Sequence, residues 1–565
     1  MPFTLRRSRR AEPPPSRSLV DVVKSKIRCC HEKKDRSKRE YDSFVPQPIR
    51  TNDPVRSLTT LTTRHAVYHR YEAPRRPHRI DRLPAELLAC IFVLGSEDEV
   101  MLPLIVSHVS RKWRAVALQT PSLWRRISLD TRLRLWTAHI QRAKACTLDI
   151  EITPQTPIVS NRTVRRGYLA AQTVQVYMHM VTPHLPRWRS LTIEFRHYAP
   201  YLWNAALSEC CGHNYRLQAP YLEHLTLVHS LNDDTKEFTL FNGYAPRLRS
   251  AVIQGIRLTW LPSLFANLTS LDYTHHGFTR GNDACTELYY MLQVSSRLRE
   301  LRLAFPPPRS HYSLDSHLPD IPGNTRVHLD HLHTLELYVS SGDIPSALIQ
   351  LVARLRLRAL RSLSLRSPMP PTPSRSNRYP QDFAPILYPP FYRLPQFLIS
   401  LSRFSKVTHL RVDNSWCDRY FVLSLLKSHM TYLKHLTLAS AHVNDAFLWA
   451  LGDDMRRRYQ VSYPIPKVKL VGSVKHPEKV SYATLDVLEV INARISGEGL
   501  LAVVRRMLGG GVVWVKEVWV KDCQGVDGTV MQRADRFGVG LKVWGNDDGQ
   551  GRAESRGSMW RKLRR

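Results

Sequence analysis

The sequence predicts an α/β protein: a small group of three helices, then a long array of repeated strand–helix units, behind a basic region without periodicity. Three observations carry that reading. A short apolar motif recurs through most of the chain. Stretches with helical spacing lie between its copies. Upstream, near residue 100, a compact block places apolar residues at intervals of three and four.

The front of the chain, residues 1–79, contains "LRRSRR" (Leu5–Arg10), "EPPPSRS" (Glu12–Ser18) and "EKKDRSKRE" (Glu32–Glu40). Without a sustained apolar period, and interrupted by proline, it is expected to be disordered. Residues 545–565 form a second basic tail. Such clusters fit a nuclear localisation signal, a nucleic-acid arm or a solvated tail. Pro13, Pro14 and Pro15 would break the amphipathic helix of a mitochondrial presequence.

Over all 565 residues, 82 Lys and Arg stand against 48 Asp and Glu, a formal charge of +34. That excess attracts polyanions without specifying a fold. The nine cysteines lack CxxC spacing. There is no signal-peptide core and no apolar run of about 18–20 residues, so no membrane span is expected. Reduced thiols in the cytoplasm and/or nucleus follow.

In "IDRLPAELLACIFVLGSEDEV" (Ile80–Val100), Pro84 suits a helix's first turn and Glu86 its positive end. Leu87, Ile91 and Leu94 recur at helical spacing, Leu88 and Phe92 widen the stripe, and Gly95 is expected to stop the helix. Met101–His108 gives a second short apolar stretch. In "VSRKWRAVALQTPSLW" (Val109–Trp124), Val109, Trp113 and Val116 or Ala117 share one face, while Arg111, Lys112 and Arg114 share the other. A nucleic-acid grip would put basic and aromatic residues on the same face.

Leu83-Pro84, Glu86-Leu87-Leu88, Ile91, Val109-Ser110, Trp113-Arg114 and Pro121-Ser122-Leu123-Trp124 together resemble the F-box, in the form common in fungal proteins. The resemblance spans residues 80–130. It implies a three-helix domain that docks a Skp-type adaptor and, through it, a cullin–RING ubiquitin ligase. Leu83, Pro84, Leu87, Ile91, Val109 and Trp113 would lie in or support the adaptor-facing surface. Three such helices bury little surface alone, so leftover apolar area suits a partner; a helical bundle capping the next domain is the competing reading.

From residue 131 to 544 the recurring motif is apolar, two others, apolar, one other, apolar. Copies include "LEHLTL" (Leu222–Leu227), "LRELRL" (Leu298–Leu303), "LHTLEL" (Leu332–Leu337), "LRSLSL" (Leu360–Leu365), "LKHLTL" (Leu433–Leu438) and "VKEVWV" (Val515–Val520). Its final alternation predicts a short strand with one buried face, and Asp283–Gln293, Tyr420–Lys427 and Leu500–Met507 read as intervening helices. Repeated strand–helix units that cannot bury their own faces predict an irregular leucine-rich-repeat solenoid. A compact α/β domain is the alternative. Residues 305–323 and 366–395 read as inserted loops.

Strand alternation aims one residue set away from the core. That set includes Glu194, Asp272, Glu300, Glu336, Asp413, Glu489 and Glu517, against Arg302, Arg366, Arg411 and Lys521. The inner surface is thus expected to be mixed to slightly acidic and to hold a target protein, with Glu300, Arg302, Glu336, Arg411, Asp413 and Glu489 as its contacts.

GxSxG, Walker-type and complete GxGxxG motifs are absent. "HLDHLH" (His328–His333) is explained by a surface strand start, and nothing marks a reactive cysteine. No catalytic, cofactor or metal residues are assigned. The expectation is a non-enzymatic substrate receptor that acts by proximity. The alternatives are a nuclear binder gripping nucleic acid with its basic tails, or an F-box scaffold that never engages a cullin.

Overall fold

The computed structural model describes residues 79–153, 158–160, 163–165, 169–212, 217–279, 281–306, 326–340, 342–368, 389–401, 406–430, 432–452, 485–509, 512–513, 515–523, 526, 530, 533 and 540–544. The expectations for the basic segments at both ends, and for most of the two insertions, fall outside these residues. The chain divides into two compact units, Met1–Glu151 and Ile152–Arg565.

In the first unit, helix α1 (Ala85–Asp98) starts at Pro84, whose extended ψ of 152° makes it the cap. Leu88, Phe92 and Ser96 form its buried face. Gly95 does not stop this helix, which continues to Asp98. A side chain there would meet Leu102 Cδ2 at 2.5 Å, so glycine marks where the next helix closes on α1.

That helix, α2, covers Leu102–Ser107, and α3 covers Arg111–Gln119. The Ser110 hydroxyl accepts from Trp113 N–H at 3.2 Å and caps α3, so Val109 precedes the helix it was expected to enter. Trp113, Val116 and Ala117 are buried, and the Trp113 ring lies 4.9 Å from Phe92. Trp124 donates from Nε1 to the Ala117 carbonyl at 2.8 Å. The unit continues through β1 (Arg126–Ser128), α4 (Leu133–Arg142) and β2 (Leu148–Ile152), β1 and β2 pairing in parallel.

In the second unit a long parallel sheet follows chain order. Its strands are β3 (Trp188–Phe195), β4 (His224–His229), β5 (Ser250–Gln254), β6 (Ser270–Thr274), β7 (Glu300–Phe305) and β8 (Thr334–Val339). They continue with β9 (Ser362–Arg366), β10 (His409–Asp413), β11 (His435–Ala439), β12 (Leu485–Ile491), β13 (Val515–Lys521) and β14 (Gly540–Trp544). Nearly every copy of the motif supplies one strand, with its last two apolar residues buried: Leu301 and Leu303, Leu335 and Leu337, Leu363 and Leu365.

Helices sit between strands: Gly281–Val294 and Arg419–His429 replace the expected Asp283–Gln293 and Tyr420–Lys427, each longer by about a turn or less, and Ser346–Arg354 packs against the first of them. Pro395, expected in a loop, instead lies in the first turn of a helix, Leu394–Ser400, where its missing N–H costs nothing. Gly255, at φ +69°, closes the turn after β5; a Cβ there would fall 2.0 Å from the His229 carbonyl oxygen.

Leu337→Ala removes a fully buried side chain and should destabilise by about 2–5 kcal/mol. Tyr338→Ala, on the opposite face, should cost about 1 kcal/mol or less. Urea unfolding followed by circular dichroism reads both, and equal losses would refute the alternation.

Candidate functional site: an apolar helical stripe and a charged sheet face

On α1 the exposed side opposes Leu88 and Phe92. Leu87 is 51% exposed and Leu94 is 63% exposed, with half-buried Ile91 between them at the next turn. Pro84 is exposed, and Leu83 and Val109 are half-buried. Trp113 is fully buried, so of the six residues expected at an adaptor surface it acts from beneath by fixing the packing of α1 on α3. Leu94 and Leu118, the latter 42% exposed, add apolar area that was not assigned to that surface. Lys112 Nζ donates to the Leu83 carbonyl at 3.0 Å and Arg114 Nε to the Ser107 carbonyl at 2.8 Å. Two cations of the basic helix face thus bond the backbone just before α1, at Leu83, and at the end of α2, at Ser107.

The polar sheet face carries a ladder of charges held in line by strand register. Asp272 pairs with Arg302 across β6 and β7, and Arg302 with Glu336 across β7 and β8. Arg302 bonds Asp272 Oδ2 at 2.9 Å through Nη1 and Glu336 Oε1 at 3.0 Å through Nε. Arg366 continues it, to Glu336 Oε1 at 3.1 Å and Asp413 Oδ2 at 3.1 Å, and Arg411 closes on Asp413 Oδ1 at 2.9 Å. Three carboxylates therefore answer three guanidinium groups. The face is balanced at its centre, at the mixed end of the mixed to slightly acidic surface that was expected.

Burial raises the carboxyls of Asp272 and Asp413 despite their arginines, and Glu336 is only 8% exposed. Arg302, Glu336, Arg411 and Asp413, four of the residues expected to contact a target, are thus bound chiefly to one another. Glu300 lies beside Ser270 Oγ at 3.4 Å. Glu489 accepts from Thr437 Oγ1 at 2.8 Å, and a hydrogen bond from His435 lowers its pKa.

Among the described residues, His275, His276 and Glu287 bring potential metal-ligating atoms within 4.8 Å of one another. Their hydrogen bonds do not fit a metal. Gly277 N–H donates to His275 Nδ1 at 3.1 Å, and Phe278 N–H donates to His276 Nδ1 at 3.0 Å. Both neutral rings must therefore carry their proton on Nε2, the atom a metal would need. Instead His276 Nε2 donates to Glu287 Oε1 at 2.9 Å, while Thr279 Oγ1 donates to Glu287 Oε2 at 3.2 Å. Burial opposes ionisation of Glu287, but the His276 and Thr279 bonds outweigh it and hold the carboxyl below its usual range. This is a satisfied internal network.

The described cysteines are free thiols; burial raises Cys210, Cys285 and Cys417, and raises Cys211 to about 11. None of these four is activated as a nucleophile. No described helix is long and apolar enough to cross a membrane.

Residues 80–130, the segment that bears the exposed stripe, match the family model F-box-like. The chain carries an F-box-like domain. F-box domains bind Skp-type adaptors, and F-box proteins are generally adaptor or receptor subunits rather than enzymes. The domain suggests a role in protein–protein interaction within a Skp–cullin–F-box type complex. No curated protein matches the chain.

Two buried histidines set a pH dependence. Burial lowers His139 to about 4 and His275 to about 3, from an ordinary 6.5. Each is neutral when folded and gains a proton on unfolding below pH about 6.5. Stability is therefore full above that value and falls as pH drops, by about 1.4 kcal/mol per pH unit per histidine. Melting temperatures between pH about 7.5 and 5 should decline in the parent and decline less in His139→Phe and His275→Asn. Parallel curves in all three would remove these groups as the cause.

Proposed function

We propose that this protein is the substrate-recognition subunit of a Skp–cullin–F-box type ubiquitin ligase. The observation that carries the reading is the F-box-like domain whose first helix leaves Leu87 and Leu94 largely exposed around Ile91. Burying a leucine of this kind under a partner helix contributes about 1.5–3 kcal/mol. A few such contacts, framed by Leu83, Pro84 and Val109, give a compact adaptor-docking surface.

The long parallel sheet is then the inner surface of an irregular leucine-rich-repeat solenoid, and its polar face holds the target protein. Because the central charges neutralise one another, affinity there comes from shape and from the groups flanking the ladder. Glu300 and Glu489 flank it, as do His435 and Trp519, whose rings meet edge to face at 5.6 Å. The subunit has no chemistry of its own; it raises the target's effective concentration beside a conjugating enzyme. The cytoplasm and/or nucleus is the corresponding location.

Affinity purification of the tagged full-length chain should recover a Skp-type adaptor and a cullin. Leu87→Asp with Leu94→Asp should reduce adaptor recovery by at least tenfold, because each places a charge in a desolvated contact. Leu83→Ala with Pro84→Ala should do likewise. Recovery of adaptor at parental levels from both variants would refute the docking surface. Adaptor without cullin would select the cullin-independent scaffold.

A further inference from the structure

The N-terminal edge of the long sheet carries a row of charges that the F-box reading does not use. Where each strand begins, backbone hydrogen bonds align one residue per strand. Thr269 N–H donates to the Arg249 carbonyl at 2.8 Å, Arg299 to Thr269 at 2.8 Å, and His333 to Arg299 at 2.8 Å. Arg361 donates to His333 at 2.9 Å, Thr408 to Arg361 at 2.8 Å, and Lys434 to Thr408 at 2.8 Å.

The aligned cations fall on alternate strands: Arg189, Arg249, Arg299, Arg361, Lys434 and Lys516. Between them stand Glu223, Thr269, His333, Thr408 and Asp486. Lys516 is paired with the neighbouring Asp486, so the cations open to a ligand run from Arg249 to Lys434; with strands about 4.8 Å apart, one recurs about every 10 Å over about 30 Å. Arg249, Arg299 and Arg361 are exposed and form no ion pair with a carboxylate among the described residues. Two residues before Arg249 and Arg299, exposed Arg247 and Arg297 double the charge. Tyr221 and Tyr432, 45% and 62% exposed, occupy the same flanking position on other strands, and Arg247 lies over the Tyr221 ring at 4.8 Å.

We propose that this edge binds single-stranded nucleic acid, its cations following the phosphate backbone and its tyrosines stacking on bases. Evenly spaced charge with interleaved aromatics is the form such tracks take. A phosphopeptide site would instead converge several arginines on one phosphate, and these guanidinium groups stand apart along a line. The contrast with the charge-balanced ladder on the sheet face gives the edge its selectivity for a polyanion. The inference is independent of the F-box-like domain.

The test is fluorescence anisotropy of labelled poly(U) with the full chain across a salt series. Arg249→Gln with Arg299→Gln and Arg361→Gln should weaken binding at least about tenfold and lower the slope of log K against log salt by about 2, as loss of three phosphate contacts requires. The same three positions changed to Lys should bind like the parent. Arg82→Gln, Arg134→Gln and Lys144→Gln, an equal charge change on the first unit, should leave affinity and slope nearly unaltered. Tyr221→Ala with Tyr432→Ala should weaken binding without changing the slope.

Parental affinity and slope in the Gln triple would overturn the proposal and leave the terminal basic segments as the binding element. Failure of the Lys triple to bind, or polyglutamate of matched charge displacing poly(U) equally well, would overturn it too. The latter result would make an acidic protein the ligand. Adaptor capture by the same variants should match the parent, which separates failure here from failure of the ligase reading.

Discussion

The parallel backbone ladder is the constraint from which the rest of the second unit follows. Each strand hydrogen-bonds in register to the next, so equivalent positions of the motif line up across the sheet. A single strand of five or six residues cannot bury its two apolar side chains or satisfy its backbone alone. Stacked, each strand supplies half of its neighbour's requirements. Registration then makes rows: leucines on the covered face, alternating signs on the polar face, and cations at the strand starts. A change at one position therefore acts on a row rather than on a point.

The charge ladder explains how a chain of formal charge +34 presents a balanced sheet centre. Arg302 and Arg366 stand one and three strands from Asp272, close enough to share Glu336. Leaving Glu336 without those arginines would strand a nearly buried carboxylate, and leaving them without it would set like charges side by side. Mutual neutralisation is the arrangement that tolerates burial. Among the described residues, positive charge without a carboxylate partner also appears where strands meet solvent end-on, at Arg249, Arg299 and Arg361.

Much of this architecture was legible in the sequence because the motif has a physical period. "LRELRL" and "LHTLEL" fix which leucines are buried, and the structure places Leu301, Leu303, Leu335 and Leu337 accordingly. The first unit was read less completely. Gly95 looked like a helix stop since glycine often ends helices, yet the close approach of Leu102 is what requires it. Leu87 and Ile91 were expected at an adaptor-facing surface and lie exposed and half-buried, whereas Leu88 and Phe92, read only as widening the same stripe, face inward. One turn of ambiguity in a stripe that is apolar on both sides cannot be settled without knowing where α3 packs. The His275–His276–Glu287 network escaped notice because Glu287 lies on the next helix. The edge cations were present in the motif copies themselves, as the second residue of "LRELRL", "LRSLSL", "LKHLTL" and "VKEVWV". They lie just before the alternating strand positions, so the strand period does not mark them.

The two candidate surfaces differ in the physics of association. The stripe on α1 would bind by removing leucine side chains from water, a contribution that salt hardly weakens. The sheet edge would bind through charges exposed to solvent, which a Debye length of about 8 Å at physiological ionic strength screens at their own spacing. Each edge cation therefore acts almost independently, and affinity grows with the number engaged rather than with any one contact. A ligand must then be long to be held, whereas an adaptor helix need only cover two turns. Capture that survives high salt belongs to the stripe, and capture that rises with ligand length and disappears with salt belongs to the edge.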